Sequence, residues 1–428
     1  MTYKEARVYL DNLSKYGSVL GLGTIQKLLC ELGNPQDGLK FIHIAGTNGK
    51  GSVLAYTSTI LSKAGCKVGR YVSPTVISYL ERIQVDGMWI SEDAFARLTA
   101  RVREAIARME SAGEKSPTVF EIETAIAFLY FKEQDCDLVV LECGLGGETD
   151  ATNIVENTLV AVFTPVSRDH TGILGDTPGE IAAVKAGIIK PGCIVVTSAQ
   201  EPEVMQVLRD RAGQLDCPLH VTRQEQLEIL DDRYLGQIIS YKGTGSVYLP
   251  LAGVHQSENA MTALETIFAL ESLGYPISKD AVRQGFQSTI WPGRFSCLRR
   301  DPLFFIDGAH NEAAAEKLRE NLENYFPGKR IHYIMGVFKD KDYEKIAGIM
   351  APLACSVHTV DLPLKDRTLP ATELASVMKE YCNPNTSIHA EPDIESAVRN
   401  TLKEADKDDV ILAFGSLSYL GQIMDHIF

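Results

Sequence analysis

The stretch Phe41-Ile-His-Ile-Ala-Gly46-Thr-Asn-Gly-Lys50-Gly-Ser52 decides how the rest of the chain is interpreted. An apolar run here meets a glycine-rich turn that carries one lysine and one hydroxyl, and a helical pattern follows. Such a turn can close its backbone N–H groups around phosphate oxygens at the positive end of the helix, with Lys50 on the outer phosphates and Ser52 on Mg²⁺. The sequence therefore predicts a nucleotide-phosphate cradle.

The spacing within this cradle departs from the standard P-loop. Gly46 lies three residues before Gly49, and Gly51 separates Lys50 from the hydroxyl of Ser52. The standard motif instead has four residues between its first glycine and a Gly-Lys-Ser/Thr end. An ordinary glycine-rich turn between a strand and a helix is the alternative that the local pattern leaves open.

Length and composition limit the class of protein. A chain of 428 residues is too long for one ordinary core, and 45% hydrophobic with 23% charged residues is typical of a globular protein. The net charge of -14 argues against a nucleic-acid or anionic-membrane partner. Nine cysteines without a C-x-x-C pair favour neither a disulfide framework nor a zinc site. The N-terminus lacks a signal-peptide pattern, so we expect a cytoplasmic protein.

Strand-like and helical patterns alternate in the first part of the chain, which is typical of a mostly parallel sheet covered on both faces. The strand-like runs are 41–45, 68–72, 138–142, 159–163 and 194–197. Helical patterns at 53–63, 121–132 and 178–189 lie between them. Ligands of such sheets bind outside the carboxyl ends of the strands, so we expect the ligand-binding residues of this chain to follow those ends.

The last third of the chain repeats the alternation. A β-rich stretch at 237–251 and a long helix at 256–273 precede a junction at 291–297. Strand-like runs then follow at 303–306, 331–337, 356–361 and 410–414. We therefore predict an α/β protein of two domains, residues 1–295 and a smaller domain of residues 296–428.

Three charged or polar residues follow the later strands of the first domain. Glu142 ends an apolar run beside flexible glycines, where a carboxylate can hold Mg²⁺ against a triphosphate, although a solvated strand-end acid has the same pattern. His170 follows the next strand and is either a ligand or a structural histidine. Lys185 lies in an apolar helical turn, where an ammonium is costly unless it is paired, modified or able to reach solvent.

Many separate blocks together resemble one family, that of folylpolyglutamate synthase / dihydrofolate synthase, a branch of the Mur-ligase superfamily. The resemblance covers nearly the whole chain. Its blocks include Leu32-Gly-Asn-Pro35, Ile44 to Ser52, Ser73-Pro74, Glu81-Arg-Ile83, Thr118 to Glu121, Asp150 to Asn153, Asp169-His170, Lys185 to Lys190, His255-Gln256, Asn259-Ala260, Pro292 to Arg294, Asp307 to Asn311, Asp340 to Asp342 and Gly415 to Leu417.

The resemblance implies a fold and a set of ligands. The fold would be an N-terminal P-loop ATPase-like domain with a mostly parallel sheet and a smaller C-terminal Rossmann-like domain. ATP and Mg²⁺ would be the cofactors, with two metal sites and K⁺ as a further candidate ion. The substrates would be small molecules, namely dihydropteroate or folates and L-glutamate, and the enzyme would be a monomer.

The resemblance also implies residue roles. ATP would contact residues of both domains, Lys185 would be the family's carbamylated lysine, and Lys50, Lys185, His170 and Glu142 would act in catalysis. Ser73, Glu142 and His170 would hold the metal. The nucleotide contacts would come from Asn48, Gly49, Lys50, Gly51, Ser52, Asn259, Arg294, Asp307 and His310. The pterin-side pocket would be lined by Thr118, Val119, Phe120, Glu121, Thr149, Asp150 and Ala151.

The implied reaction is ATP-dependent amide formation. A carboxylate on dihydropteroate or on the glutamate tail of a folate would take the γ-phosphoryl group, and the amine of glutamate would then displace phosphate. The alternative is a folylpolyglutamate synthase without dihydrofolate synthase activity and, more distantly, a P-loop switch or motor, although the block Asp307 to Asn311 argues against the latter. A non-catalytic nucleotide-binding module would not need Glu142, His170 and Lys185. A murein-precursor ligase usually has an additional N-terminal domain, whereas the cradle here begins by residue 46, so we do not expect one.

Overall fold

The apolar runs of the sequence build two α/β units. The computed structural model describes residues 1–13, 21–169 and 172–427. The first unit takes in residues 1–73, 80–227 and 258–288, and the second takes in residues 74–79, 228–257 and 289–428. The segments 74–79, 228–257 and 289–295, which the sequence analysis assigned to the first domain, thus cluster with the second unit. No helix within the described ranges is long and apolar enough to cross a membrane.

The first unit is organised by an eight-stranded sheet in the order β4-β3-β2-β5-β1-β6-β7-β8. Its strands are β1 (Phe41–Ala45), β2 (Val68–Tyr71), β3 (Ile83–Val85), β4 (Met88–Trp89), β5 (Leu138–Glu142), β6 (Thr158–Phe163), β7 (Ile194–Thr197) and β8 (Leu219–Val221). The six strands from β2 to β8 in this order are parallel, and β3 and β4 add an antiparallel edge.

Parallel pairing explains the composition of the central strands. Every residue of β1, β5 and β7 is buried, as is typical of strands covered on both faces. The helices of this unit are α1 (Tyr3–Leu13), α2 (Gly23–Glu31), α3 (Lys50–Lys63), α4 (Glu92–Ser111), α5 (Val119–Glu133), α6 (Pro178–Lys185), α7 (Pro202–Gln214), most of α8 (Val254–Ser272) and α9 (Lys279–Gln287).

The second unit contains a three-stranded and a six-stranded sheet. The first has the order β11-β10-β9 and the second has the order β12-β13-β17-β14-β15-β16, in which only the β12–β13 pair is antiparallel. The strands are β9 (Leu227–Arg233), β10 (Gly236–Tyr241), β11 (Val247–Leu249), β12 (Ser296–Arg300), β13 (Leu303–Ile306), β14 (Ile331–Met335), β15 (Ala354–Thr359), β16 (Ser387–Ala390) and β17 (Val410–Phe414).

Helices cover both faces of the six-stranded sheet. They are α10 (Glu312–Tyr325), α11 (Tyr343–Met350), α12 (Ala371–Tyr381), α13 (Ile394–Glu404) and α14 (Leu420–Asp425). Phe305 of β13 packs in one core with α10, α11 and α12, and its neighbour Phe304 packs in a second core with α13 and α14. Successive side chains of a strand point to opposite faces, so two adjacent phenylalanines serve two separate cores.

The secondary structure confirms the sequence-based prediction of an α/β protein. The predicted runs at 41–45, 138–142, 194–197, 303–306 and 410–414 coincide with β1, β5, β7, β13 and β17. The short strands β3, β4, β8, β12 and β16 were not predicted. β4, β8, β12 and β16 are edge strands without a fully buried residue, so they lack the continuous apolar run that marks the central strands, and β3 has only three residues.

Close packing of α9 on α3 gives a test of the first unit. A Cβ atom placed on Gly285 would lie 2.5 Å from Cα of Ile60, a backbone atom that cannot move aside alone. We expect Gly285→Ala to lower the free energy of unfolding by about 1–3 kcal/mol, because the extra methyl group overpacks the helix contact. Urea denaturation monitored by circular dichroism would measure the change.

Gly213 in α7 provides the matched control. It is exposed, and no atom lies within 4 Å of the position where its Cβ would be. Gly213→Ala should leave stability unchanged or raise it by about 0.4–1 kcal/mol, since alanine has less backbone entropy to lose. Equal effects of the two substitutions would contradict the proposed crowding at Gly285.

Candidate active site

The glycine-rich turn after β1 lies where the sheet topology opens a crevice. β1 is flanked by β5 and β6, and Ile44 is in register with Glu142 at the end of β5. Parallel strands end at one edge of a sheet, so the segments that follow β1, β5 and β6 meet there. The predicted cradle and the predicted metal-binding carboxylate are therefore neighbours.

Glycine is required at two positions of the cradle. Gly46 has φ of +147° and Gly49 has φ of +90°. A Cβ on Gly46 would lie 2.0 Å from Oγ1 of Thr164, and one on Gly49 would lie 2.4 Å from Oδ1 of Asn259 in α8. Side chains are thus excluded by space as well as by conformation. The turn brings its own backbone and Asn259 together, and α3 begins directly after it at Lys50.

Lys50 points back over the turn that precedes it. Its Nζ donates hydrogen bonds to the carbonyl oxygens of Gly46 and Thr47, each at 3.2 Å. The same atom lies 4.0 Å from Oε1 of Glu142, and both side chains are largely buried. The remaining predicted phosphate contacts, at Asn48, Gly51 and Ser52, belong to the same turn and to the first turn of α3.

Lys185 also reaches the cradle. It is the last residue of α6, it is only 5% exposed, and its Nζ donates a hydrogen bond to the carbonyl oxygen of Gly46 at 3.0 Å. Burial, and secondly the charge of Lys50, lower the pKa of Lys185 to about 8. The alternative of a lysine that extends to solvent is therefore wrong. Two ammonium groups approach the same carbonyl oxygen. Their mutual repulsion favours the binding of an anion beside them.

The predicted metal ligands fit Mg²⁺ as far as they are described. The backbone N–H of Ser73 donates to Oε2 of Glu142 at 3.4 Å, which brings the two predicted ligands side by side. His170 lies outside the described residues. The described ranges contain no cluster of three or more His, Cys, Asp and Glu side chains suited to a metal. Mg²⁺ characteristically uses one or two protein oxygens together with water and phosphate oxygens, so a carboxylate beside a phosphate cradle suits it.

The N-terminus of α5 carries four of the predicted pocket residues. Thr118 caps the helix, and Oε2 of Glu121 accepts hydrogen bonds from the backbone N–H and the hydroxyl of Thr118 at 2.7 and 2.9 Å. The Glu121 carboxylate thus serves the capping box. Val119 begins the helix, and Phe120 is half-buried with its ring 5.9 Å from that of Tyr71.

Asp150 is buried within the loop after β5. Its Oδ2 accepts a hydrogen bond from the backbone N–H of Leu145 at 2.7 Å, and its Oδ1 accepts from the backbone N–H of Thr152 at 2.9 Å and from the Thr152 hydroxyl at 2.5 Å. Burial raises the pKa of Asp150 against the effect of these donors. The neighbouring predicted residues Thr149 and Ala151 belong to the same loop. The hydrogen bonds of Asp150 therefore fix the conformation of the loop that carries all three residues.

The sequence analysis did not identify His43 and Cys143, which lie beside Thr152, the hydrogen-bond partner of Asp150. Nε2 of His43 in β1 lies 2.9 Å from the hydroxyl oxygen of Thr152 and 3.1 Å from Sγ of Cys143. Burial lowers the pKa of His43 to about 3, so the ring is neutral at pH 7. The available signal was a histidine within an otherwise apolar strand, because a buried imidazole needs a polar partner.

The second unit gathers the other predicted nucleotide contacts. Both oxygens of Asp307 accept backbone hydrogen bonds, from Phe295 and from Ala309, each at 2.8 Å. Burial raises the pKa of Asp307, although the charge of Arg294 opposes the shift. Nδ1 of His310 lies 2.7 Å from the carbonyl oxygen of Gly308, a distance that assigns the proton to Nδ1.

Backbone geometry singles out the same place in the second unit. Phe295 directly follows Arg294 and has φ of +45°, which is unusual for a bulky residue. The Asp307 carboxylate holds this turn through the Phe295 N–H. A Cβ on Gly308 would lie 2.6 Å from Nη1 of Arg294, so the guanidinium rests directly on the backbone after β13. Such over-determined turns cluster at binding sites.

Comparisons with known proteins agree with this geometry. A family model described as Mur ligase middle domain matches residues 44–267, more than half of the chain, and one described as Mur ligase, glutamate ligase domain matches residues 293–417. The chain is 34% identical over 431 aligned residues to a Bacillus subtilis protein named dihydrofolate synthase/folylpolyglutamate synthase, and the alignment covers 98% of each chain.

Solved structures give the same result. A Mycobacterium tuberculosis folylpolyglutamate synthase, complexed with ADP and AMPPCP, superposes with a TM-score of 0.89 at 30% identity and covers 98% of this chain and 97% of its own. The Escherichia coli protein FolC, in complex with DHPP and ADP, superposes with a TM-score of 0.86 at 30% identity and covers 100% and 98%. The chain therefore belongs to the dihydrofolate synthase/folylpolyglutamate synthase family of Mur ligases.

Proposed function

We propose that this ATP-dependent ligase adds L-glutamate to two kinds of acceptor, dihydropteroate and the glutamate tail of reduced folates. Relatives along nearly the whole chain carry both activities in their names, including the Bacillus subtilis protein and an Escherichia coli protein that is 32% identical. The narrower activity, folylpolyglutamate synthesis alone, is the second candidate, because a Lacticaseibacillus casei relative that is 33% identical has only that name.

The single observation that carries the ligase proposal is the convergence of two lysines on one carbonyl. Lys50 and Lys185 both donate to the oxygen of Gly46, and Glu142 is the charged acid beside them. The two cations repel each other, and this repulsion adds to burial in lowering the pKa of Lys185. The phosphates of a nucleotide in the cradle would stabilise both ammonium groups.

The chemistry that this site supports proceeds in two steps. A carboxylate oxygen of the acceptor attacks the γ-phosphorus of ATP, the bond to the bridging oxygen breaks, and ADP leaves from an acyl phosphate. The amine of glutamate then attacks the acyl carbon, and the amide forms as phosphate and a proton depart. Lys50 lies where it can neutralise charge on the phosphoryl group, so catalysis would depend on positioning and electrostatics.

Mg²⁺ fits the oxygen donors of this site. Glu142 and Ser73 would hold it, together with His170 from outside the described residues, and a second metal or K⁺ would bind near Lys185. When bound, the metal supplies further positive charge to the phosphoryl oxygens. Among the residues of this chain, Glu142 would hold the ion, Lys50 would bind phosphate, and Asn48, Gly49, Gly51 and Ser52 would surround it.

The remaining roles are proposals of the same kind. Asn259 would bind adenine, and Arg294, Asp307 and His310 would contact nucleotide. The loop around Asp150 and the start of α5, residues 118–121, would form the pterin side. In this assignment the domain of residues 1–295 would bind ATP and folate, and the domain of residues 296–428 would bind glutamate and part of the nucleotide. The enzyme would act as a monomer in the cytoplasm.

The cradle can be tested by removing one charge. Lys50→Ala should reduce ligation by about 10²–10³-fold, because transition-state charge on the phosphoryl group loses one preorganised cation. The measurement is incorporation of labelled glutamate at saturating ATP. Lys63→Ala is the matched control, since Lys63 is an exposed lysine at the other end of the same helix. Turnover of Lys50→Ala within about threefold of the control would contradict the assignment.

Lys185 is poised for reaction with CO₂. With a pKa of about 8, close to half of the side chain is an uncharged amine at pH 8. Its nitrogen lone pair can bond to the carbon of CO₂ and release a proton, which leaves a carbamate anion. We therefore expect a carbamate signal from protein equilibrated with ¹³C-bicarbonate, and this signal should grow as the pH rises from about 6.5 to 8.5 because the neutral fraction grows.

Two variants check the position of the carbamate. Lys185→Arg should remove the signal, and Lys190→Arg should keep it, because Lys190 lies on the same segment but donates to the Asn153 carbonyl. Lys185→Ala should be inactive and partly rescued by short-chain carboxylates. Active wild-type enzyme without ¹³C label at any pH in this range would disprove the carbamate.

The choice of acceptor is tested with both substrates in parallel. Wild-type enzyme should glutamylate dihydropteroate and tetrahydrofolate. Asp150→Ala should lower turnover of dihydropteroate about tenfold more than that of tetrahydrofolate, because the acceptor without a glutamate tail depends more on the pterin pocket. Glu156→Gln, an exposed acid on the same connection, is the control.

Three results separate the candidates. No turnover of dihydropteroate by wild-type enzyme would leave the narrower folylpolyglutamate synthase. Equal losses for both acceptors in Asp150→Ala would assign Asp150 to the loop cap alone. Glutamate incorporation with neither acceptor would overturn the proposed function.

A further inference from the structure

The segment that follows β6 is bonded to the cradle by a side chain as well as by backbone groups. The hydroxyl of Thr47 donates to the carbonyl oxygen of Ser167 at 3.0 Å and accepts from the Ser167 N–H at 3.0 Å. The N–H of Thr47 donates to the carbonyl oxygen of Pro165 at 2.9 Å. One side chain thus satisfies both backbone groups of a residue in a neighbouring loop.

The opposite side of this segment is held by Gln200. Its Oε1 accepts from the Val166 N–H at 2.9 Å, and its Nε2 donates to the Thr164 carbonyl oxygen at 2.9 Å. Nε2 also lies within 3.2 Å of the hydroxyl oxygens of Thr197 and Ser198 at the end of β7. Residues 164–167 are therefore clamped between the cradle and β7, and we call this arrangement the loop clamp.

The loop clamp holds a segment that adjoins the cradle. The hydroxyl oxygen of Ser167 is buried and has no hydrogen-bond partner within the described ranges. A buried hydroxyl without a partner is costly, so a ligand atom or a bound water is the natural partner here. Two residues later, Asp169 contributes to the electrostatic field at Lys185.

From these contacts we infer that Thr47 is a positioning residue that couples the phosphate cradle to residues 164–169, and through them sets how strongly a divalent cation tightens nucleotide binding. The inference rests on the proposed function only in assuming that nucleotide binds the cradle. Backbone amides of the turn can hold phosphate by themselves, whereas the hydroxyl of Ser167 and the carboxylate of Asp169 are oxygen donors of the kind that a divalent cation prefers. Groups that fix ligand loops in this way affect metal affinity without touching the metal.

The test compares nucleotide binding with and without the cation. ADP affinity is measured by calorimetry in EDTA and in Mg²⁺, and the ratio of the two is the Mg²⁺ gain. Thr47→Val preserves shape but removes both hydroxyl hydrogen bonds. We expect its Mg²⁺ gain to fall by about tenfold to a hundredfold, with ADP affinity in EDTA close to that of the wild type.

Two further variants keep the result decisive. Thr47→Ser retains the hydroxyl and should keep most of the Mg²⁺ gain. Gln200→Met loosens the other side of the loop clamp and should lower the Mg²⁺ gain in the same way, which decides the matter if Thr47→Val does not fold. Amide hydrogen exchange at Ser167 should become faster in both weakened variants.

Several results would overturn the inference. They are an unchanged Mg²⁺ gain in Thr47→Val and in Gln200→Met, an equal loss in Thr47→Ser, or a loss of ADP affinity that is the same in EDTA and in Mg²⁺. Because the assay contains no acceptor and no glutamate, it is independent of ligation. A wild-type protein that shows the Mg²⁺ gain but ligates no glutamate would overturn the proposed function and leave the loop clamp intact.

Discussion

Parallel pairing of β1 with β5 and β6 is the constraint on which the site depends. These strands end at the same edge, so the cradle, Glu142 and the segment after β6 become neighbours although the cradle lies roughly a hundred residues from the other two along the chain. Antiparallel pairing would have sent one of them to the far edge of the sheet. Backbone hydrogen bonds of the sheet thereby bring these segments to one edge.

The charges of two lysines at this edge of the sheet determine which ligands it favours. Lys50 and Lys185 share the Gly46 carbonyl, and burial makes the ammonium of Lys185 easier to deprotonate. An anion between the lysines, or conversion of Lys185 to a carbamate, relieves the same repulsion. Each route changes the local charge without moving the backbone.

Acids and hydroxyls hold loops in place within each unit. Asp150 binds the amides of its own loop, Asp307 fixes the turn at Phe295, and Thr47 binds both backbone groups of Ser167. Asp150 and Asp307 are buried, so their hydrogen bonds to the backbone are costly to break. Loops held in this way can present ligands with little further loss of entropy on binding.

The sequence by itself determined the α/β class, the ends of strands such as β1, β5 and β17, and the cradle, because continuous buried runs and a glycine turn are local patterns. Only the tertiary structure decided that residues 74–79, 228–257 and 289–295 cluster with the second unit, and that Thr47 and Gln200 clamp residues 164–167. Which partner takes each lone pair depends on atoms far apart in the chain, and no local pattern records those distances.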